Sequence, residues 1–143
     1  MIDRKPRIRF YEGEEGLKEV YLDTLKYPDQ PLWAWVTHEV FEVLDKDFTD
    51  YYIAKRVSKK ILAYVIVPNS PKLKLYIADE NKSLRRIKVD PSPTFNVEVE
   101  IDLYGNNKIF ILAFKEKIGL IIESQKIFNT LKSIFDSHWE RLG

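Results

Sequence analysis

Two apolar runs near the end of the chain, residues 109–114 (IFILAF) and 118–123 (IGLIIE), are separated only by Lys115-Glu116-Lys117. Three residues are too few for a parallel crossover, which needs a dozen or more, so the runs must pair as an antiparallel hairpin. Directly behind them Ser124 is placed to cap a helix. From there Ile127, Phe128, Leu131, Ile134, Phe135, His138, Trp139 and Leu142 recur at steps of three and four. Such a stripe marks a helix that lays one face on a core, here on the hairpin. No catalytic residue type stands out in this block, which reads as scaffold.

The remainder alternates strand-like and helix-like segments. Residues 7–11 (RIRFY) alternate as a half-exposed strand would, Gly13 breaks them, and residues 14–27 carry Leu17, Val20, Tyr21, Thr24 and Leu25 on one helical stripe. Residues 32–36 (LWAWV) form a short buried strand. Thr37 and Thr49 are each placed to start a helix, and residues 49–60 carry Tyr52, Ile53, Arg56 and Val57 at helical spacing. Residues 61–67 (ILAYVIV) are apolar at every position, as in a parallel strand buried on both faces. After the turn Pro68-Asn69-Ser70-Pro71, a weaker helix is expected over 72–84 and a strand over 85–89. Residues 96–103 (NVEVEIDL) alternate strictly, predicting a strand with one wet face, and Gly105-Asn106-Asn107 reads as a hairpin turn. The fold class that follows is α/β: a mixed, mainly parallel sheet flanked by helices, ending in an antiparallel strand pair and a closing helix. At 143 residues the chain is one domain, 1–143.

Composition narrows the function. There is no cysteine, so disulfides, thiolate metal sites and a cysteine nucleophile are excluded. Lysine and arginine number 23 against 22 acidic residues, a net charge of +1, whereas a domain that grips phosphate backbones carries a basic excess. The N-terminal stretch lacks the apolar core of a signal peptide, and no apolar run approaches the length of a membrane span. A cytoplasmic protein without membrane contact is expected. No glycine-rich phosphate loop and no helical zinc pair occurs, so neither a cofactor nor a metal is expected.

Two residues attract attention by position. His38 follows the LWAWV strand, and in open α/β sheets ligands bind beyond the carboxyl ends of strands. Arg56 lies four residues after Tyr52 on the helix leading into the buried strand, where an apolar residue would be ordinary. A buried guanidinium needs a partner. That partner is either an acid such as Glu12 or Glu42, or an anionic or polyhydroxylated ligand.

Taken together, RIRFYEGEEGLKEVYLDTL, YYIAKRVSKKILAYVIVPNS, SLRRIKV and YGNNKIFILAF…GLIIESQKIFNTLKSIFDSHWE resemble the C-terminal effector domain of TrmB-type transcriptional regulators. The resemblance runs from about Arg7 to Trp139. Its most specific pieces are the FYEG turn, the stretch from Arg56 to Pro68, and the strand pair ending in the Phe135…Trp139 helix. It implies a non-catalytic half unit of the phospholipase D type. It also implies a homodimer, a small-molecule effector (a sugar or an anionic metabolite), and DNA contact only through an N-terminal winged helix–turn–helix. No such segment precedes Ile2, so either a sensor domain of a longer protein or a stand-alone relative is expected.

Phospholipase D enzymes use an HxKxxxxD motif with a histidine nucleophile. Neither His38, followed by Glu39-Val40, nor His138, followed by Trp139-Glu140, has a lysine two places on. An enzyme is therefore not expected, and no residue is assigned a catalytic role. For the ligand, strand-end position selects Glu12, Thr37, His38, Asn69 and Ser70, with Arg56 and Arg86 as charged contacts. The competing readings are an assembly module that binds no small molecule and a degenerate phosphodiesterase built on His38 or His138.

Overall fold

The computed structural model describes residues 5–143; the first four residues of the stretch read for a signal peptide lie outside them. Seven strands form one sheet: β1 (Arg7–Glu12), β2 (Leu32–Trp35), β3 (Ala63–Pro68), β4 (Arg85–Asp90), β5 (Glu100–Tyr104), β6 (Lys108–Ala113) and β7 (Ile118–Glu123). Their spatial order is β1-β7-β6-β5-β2-β3-β4. Helix α1 (Gly13–Asp23) follows β1, and α2 (Val40–Val43) and α3 (Lys46–Ser58) lie between β2 and β3. Helix α4 (Lys74–Ala78) precedes β4, and α5 (Gln125–Arg141) ends the chain.

The sheet is mixed, but the expectation of a mainly parallel one is corrected. Only β2–β3 and β3–β4 run parallel. The pairs β1–β7, β7–β6, β6–β5 and β5–β2 are antiparallel. Tight turns account for two of these four pairs, β6–β5 and β7–β6. The β5–β6 turn places Gly105 at φ 59° and Asn106 at φ 68°, and Lys117 in the β6–β7 turn has φ 55°. Loops of three residues (105–107) and four (114–117) are too short for a crossover, so the last three strands can only meander. Gly105 is required there twice over, because a Cβ would also lie 3.0 Å from the Tyr27 ring.

The remaining sequence expectations fare unevenly. The continuous apolar run becomes β3, buried on both faces between parallel neighbours, as periodicity predicts. Helix α3 starts between the two threonines: Asp45 caps it by accepting the Phe48 N–H at 2.8 Å. The weak helix expected over 72–84 shrinks to a 3-10 turn (Pro71–Leu73) and the five-residue α4. In α5 the Ser124 cap is present, accepting from Ile127 N–H. Six of the eight stripe residues turn inward, whereas Ile127 and Ile134 are 41% and 52% exposed.

Two cores sandwich the sheet. On one face α1 and α3 bring Leu17, Val20, Tyr21 and Tyr52 onto Leu32, Ala34, Ala63, Val65, Phe110 and Leu112. On the other, α5 sets Phe128 and Phe135 against Trp35, Ile66, Leu103 and Ile109. Helix α1 reaches the sheet closely at Gly119, where an added Cβ would lie 2.9 Å from Leu112 Cδ2 and 3.0 Å from Val20 Cγ2. Gly119→Val should therefore lift α1 and lower the unfolding free energy by about 1–3 kcal/mol, the usual range for overpacking. Chemical denaturation would check this, and a change below about 0.5 kcal/mol would contradict the close approach.

Candidate functional site

Strand alternation puts Glu100, Asp102 and Tyr104 on the face of β5 that looks toward α1 and α3. In sequence this was the expected wet face. In the folded chain helices cover it, leaving Glu100 4% and Asp102 3% exposed. Beside them in register lie small side chains: Ala34 pairs with Asp102 across β5–β2 and with Val65 across β2–β3. Small residues on the floor and α3 above leave a cavity of about 70 Å³, several times the room one water needs. Its walls include Phe41, Phe48, Tyr52 and Tyr76, and its polar groups come from Arg56, Arg85, Glu100 and Asp102.

These four charged groups are satisfied very unequally. Arg56, 2% exposed, donates Nη1–H to the Ile61 carbonyl at 2.7 Å and to that of Leu84 at 3.1 Å, and Nη2–H to that of Ser83. Its partners are therefore main-chain carbonyls, and neither acid suggested by sequence takes part. Glu42 instead meets Lys72 and Lys115 at 3.6 Å each, and Glu12 stands exposed at the end of β1. Arg56 thus ties α3 to the starts of β3 and β4. Arg85 places its guanidinium 4.0 Å from the Tyr76 ring centroid, a cation–π contact, and no described residue accepts a hydrogen bond from it. Glu100 accepts from Tyr21 Oη–H at 2.6 Å. Asp102 Oδ1 is buried with no hydrogen-bond partner among the described residues.

Burial and the adjacent Glu100 push the Asp102 carboxyl well above the usual carboxylate range. Burial also raises Glu100, an effect moderated by its bonds to Asp102 and Tyr21 and by the Arg85 charge. Two carboxyl groups this close cannot both ionise cheaply, and the pair holds a proton where separate acids would have lost theirs. Burial pushes Tyr76 up to about 12, so its phenol stays neutral.

Of the residues selected from sequence, Arg56 alone lines this cavity. Thr37 is buried beyond β2 and accepts from the Glu39 N–H at 3.4 Å. His38 Nε2 lies 3.7 Å from Glu42, Asn69 is exposed, and Ser70 caps the 3-10 turn after β3. Arg86 is exposed on β4, pointing to the opposite face of the sheet from its neighbour Arg85. Glu100, Asp102, Arg85 and Tyr76 were missed. The available signal was the pair of acids at alternate positions of the NVEVEIDL segment, which reads identically for a solvated face and a covered one.

His138 is engaged on both sides. Nδ1 accepts from the Trp35 indole N–H at 3.1 Å, so Nε2 carries the proton and donates to Asp90 at 2.7 Å. Fixed between β2 and β4 and 9% exposed, it acts as a strut between α5 and the sheet. Among the described residues no cluster of three or more His, Asp or Glu is arranged to hold a metal ion. No described helix is long and apolar enough to cross a membrane.

No family model and no curated protein matches the sequence. Solved structures do match. TrmBL2, an archaeal chromatin protein, superposes with a TM-score of 0.64 at 12% identity, over 94% of this chain and 50% of its own. Phosphatidylserine synthase of Haemophilus influenzae Rd KW20 superposes with a TM-score of 0.61 at 10% identity, over 95% of this chain and 38% of its own. The fold is shared with both. The resemblance to the TrmB type read from the sequence holds at the level of architecture, and the chain spans half the length of TrmBL2.

Proposed function

We propose that residues 1–143 form one regulatory domain that binds a small effector in the cavity beneath α3 and pairs with a second copy of itself. The observation that carries the reading is the buried, unpartnered Asp102 Oδ1 facing a cavity that also holds the unbonded Arg85 guanidinium. A domain with no ligand to receive would be more stable with apolar residues there, since uncompensated buried polar groups cost about 1–3 kcal/mol each. The shared fold with TrmBL2, whose structure shows a mode of DNA binding, supports a regulatory setting. With a net charge of +1, DNA contact falls to another part of such a protein.

The effector would act by binding one arrangement of the dimer better than another, shifting the balance by that difference in affinity. For pairing, the structure offers β1, whose Ile8 and Phe10 are 65% and 62% exposed beside Ile122 and Leu120 of β7. Large adjoining apolar side chains left in water mark contact surfaces. Phe10→Asp should convert a dimer to a monomer in light scattering behind size exclusion, and an unchanged mass would move the contact elsewhere.

The effector reading predicts that some metabolite raises the melting temperature by mass action and that Ala34→Leu, which fills the cavity, abolishes the shift. A dimer whose melting temperature ignores every metabolite would favour the assembly module. A phosphodiesterase built on His138 is disfavoured because both of its nitrogens are committed to Trp35 and Asp90. Turnover of a phosphodiester substrate, lost in His38→Ala, would reverse that judgement.

A further inference from the structure

We infer that the cavity takes a small organic acid with a hydrogen-bond donor beside its carboxylate, that is, a hydroxy acid or an amino acid. This rests on the effector-site reading above and supplies the chemical class of its ligand. The inference starts from what the cavity's own residues leave undone. Arg56 has committed three of its five N–H donors, both of those on Nη1 included, to the carbonyls of Ile61, Leu84 and Ser83. Arg85 has not: it is 7% exposed and packed on Tyr76, with a guanidinium fork free to receive a carboxylate by two parallel hydrogen bonds. Across the floor, Asp102 Oδ1 lacks a donor.

The register sets the separation of these two groups. Asp102 stands on β5 beside Ala34, and Arg85 on β4 beside Ala63. Strands β5 and β4 are three places apart in the sheet, about 14 Å at about 4.8 Å per strand. Arg85 stands two residues off the row that runs from Asp102 through Ala34 and Val65 to Ile87, which makes the backbone separation about 16 Å. Once the long arginine and the short aspartate reach inward, the gap suits a molecule of a few heavy atoms. The floor between them is Ala34, Ala63 and Val65, with no polar atom to compete.

Charge excludes the alternatives. Two guanidinium groups face a carboxyl pair that holds a proton between its members, so an amine without an acid would be repelled. A neutral sugar would leave Arg85 without its anion. An acid lacking a donor would leave Asp102 Oδ1 as bare as before. Apolar side chains of the ligand have Phe41, Phe48 and Ile53 to rest on.

The test is calorimetric titration of the whole chain with a size series: glycine, alanine, leucine and phenylalanine, and the 2-hydroxy acids with the same side chains. Two truncated probes accompany leucine, namely 4-methylpentanoate without the donor and isopentylamine without the carboxylate. The best full probe should bind roughly 10–100-fold more tightly than either truncated form, the worth of a hydrogen bond to a charged group. Arg85→Gln should remove the advantage over the amine, and Asp102→Leu, which takes the acceptor away, the advantage over the simple acid. The comparison on the unaltered chain stands even where a variant fails to fold. Equal binding of full and truncated probes, or no binding by any acid of the series, overturns the inference. If a neutral sugar binds instead, and Ala34→Leu abolishes that binding, the effector site survives and only its ligand class falls. If nothing in a broad metabolite panel binds, both fall.

Discussion

Arg56→Ala is expected to cost about 3–5 kcal/mol of folding stability, the range for removing one partner of a buried charged arrangement. The side chain is 2% exposed and serves the carbonyls of Ile61, Ser83 and Leu84. Truncation leaves those acceptors without donors in a place water reaches poorly, and opens a void against α3. Arg56→Lys should recover little, because an ammonium is a single point of charge and cannot span carbonyls from two separate segments. Urea denaturation would show the midpoint falling at nearly unchanged slope. A loss below about 1 kcal/mol would mean that the three carbonyls find other donors and that Arg56 is no tie.

Asp23→Asn is expected to be nearly as costly and, unlike the first, dependent on pH. Asp23 is 4% exposed, accepts from Tyr104 Oη–H at 2.7 Å and Lys108 Nζ at 3.0 Å, and meets Lys26 at 2.8 Å. Burial alone would raise its pKa, but the bonds from Lys26, Tyr104 and Lys108 outweigh it and hold the group at about 2. A carboxylate whose folded pKa is depressed contributes stability above its unfolded value, near 4, and loses that contribution as pH falls through about 2. The gap between wild type and Asp23→Asn should therefore be widest, about 2–4 kcal/mol, at neutral pH and should narrow between about pH 4 and pH 2. Lys108 explains the size at neutral pH: it is itself buried, and without Asp23 its remaining ion-pair partner among the described residues is Glu123 at 3.8 Å. Thermal melts across that window would check this, and a gap independent of pH would place the stabilisation in packing rather than charge.

Much of the fold was legible because it is local. The β6–β7 hairpin follows from a three-residue turn, α5 from its stripe and Ser124, and β3 from seven apolar residues in a row. The pairing that makes the sheet mainly antiparallel was not. Arg7 stands opposite Glu123 with most of the chain between them, and Trp33 opposite Leu103 with about half of it between them. Nothing in either segment encodes such a partner, since an edge of backbone amides and carbonyls is the same for every sequence. Within α5, Ile127 and Ile134 obey the helical period and still face water, because at about 100° per residue each lies a quarter-turn round the helix from the buried Phe128 and Phe135, at the edge of the stripe.

The site divides in the same way. Arg56 was legible as a charge on an apolar stripe needing a partner, although its partners proved to be carbonyls that carry no sequence signature. Glu100 and Asp102 were visible as alternate acids, and their side chains do share one face of β5. Periodicity states which residues share a face; what covers that face depends on elements far away in the chain. The sequence by itself determined the local elements, the two hairpins and the lack of a histidine–lysine phosphodiesterase motif. Only the tertiary structure decided that α1 and α3 close over the acidic side of β5, removing two carboxyl groups from water and setting them across a small cavity from Arg85.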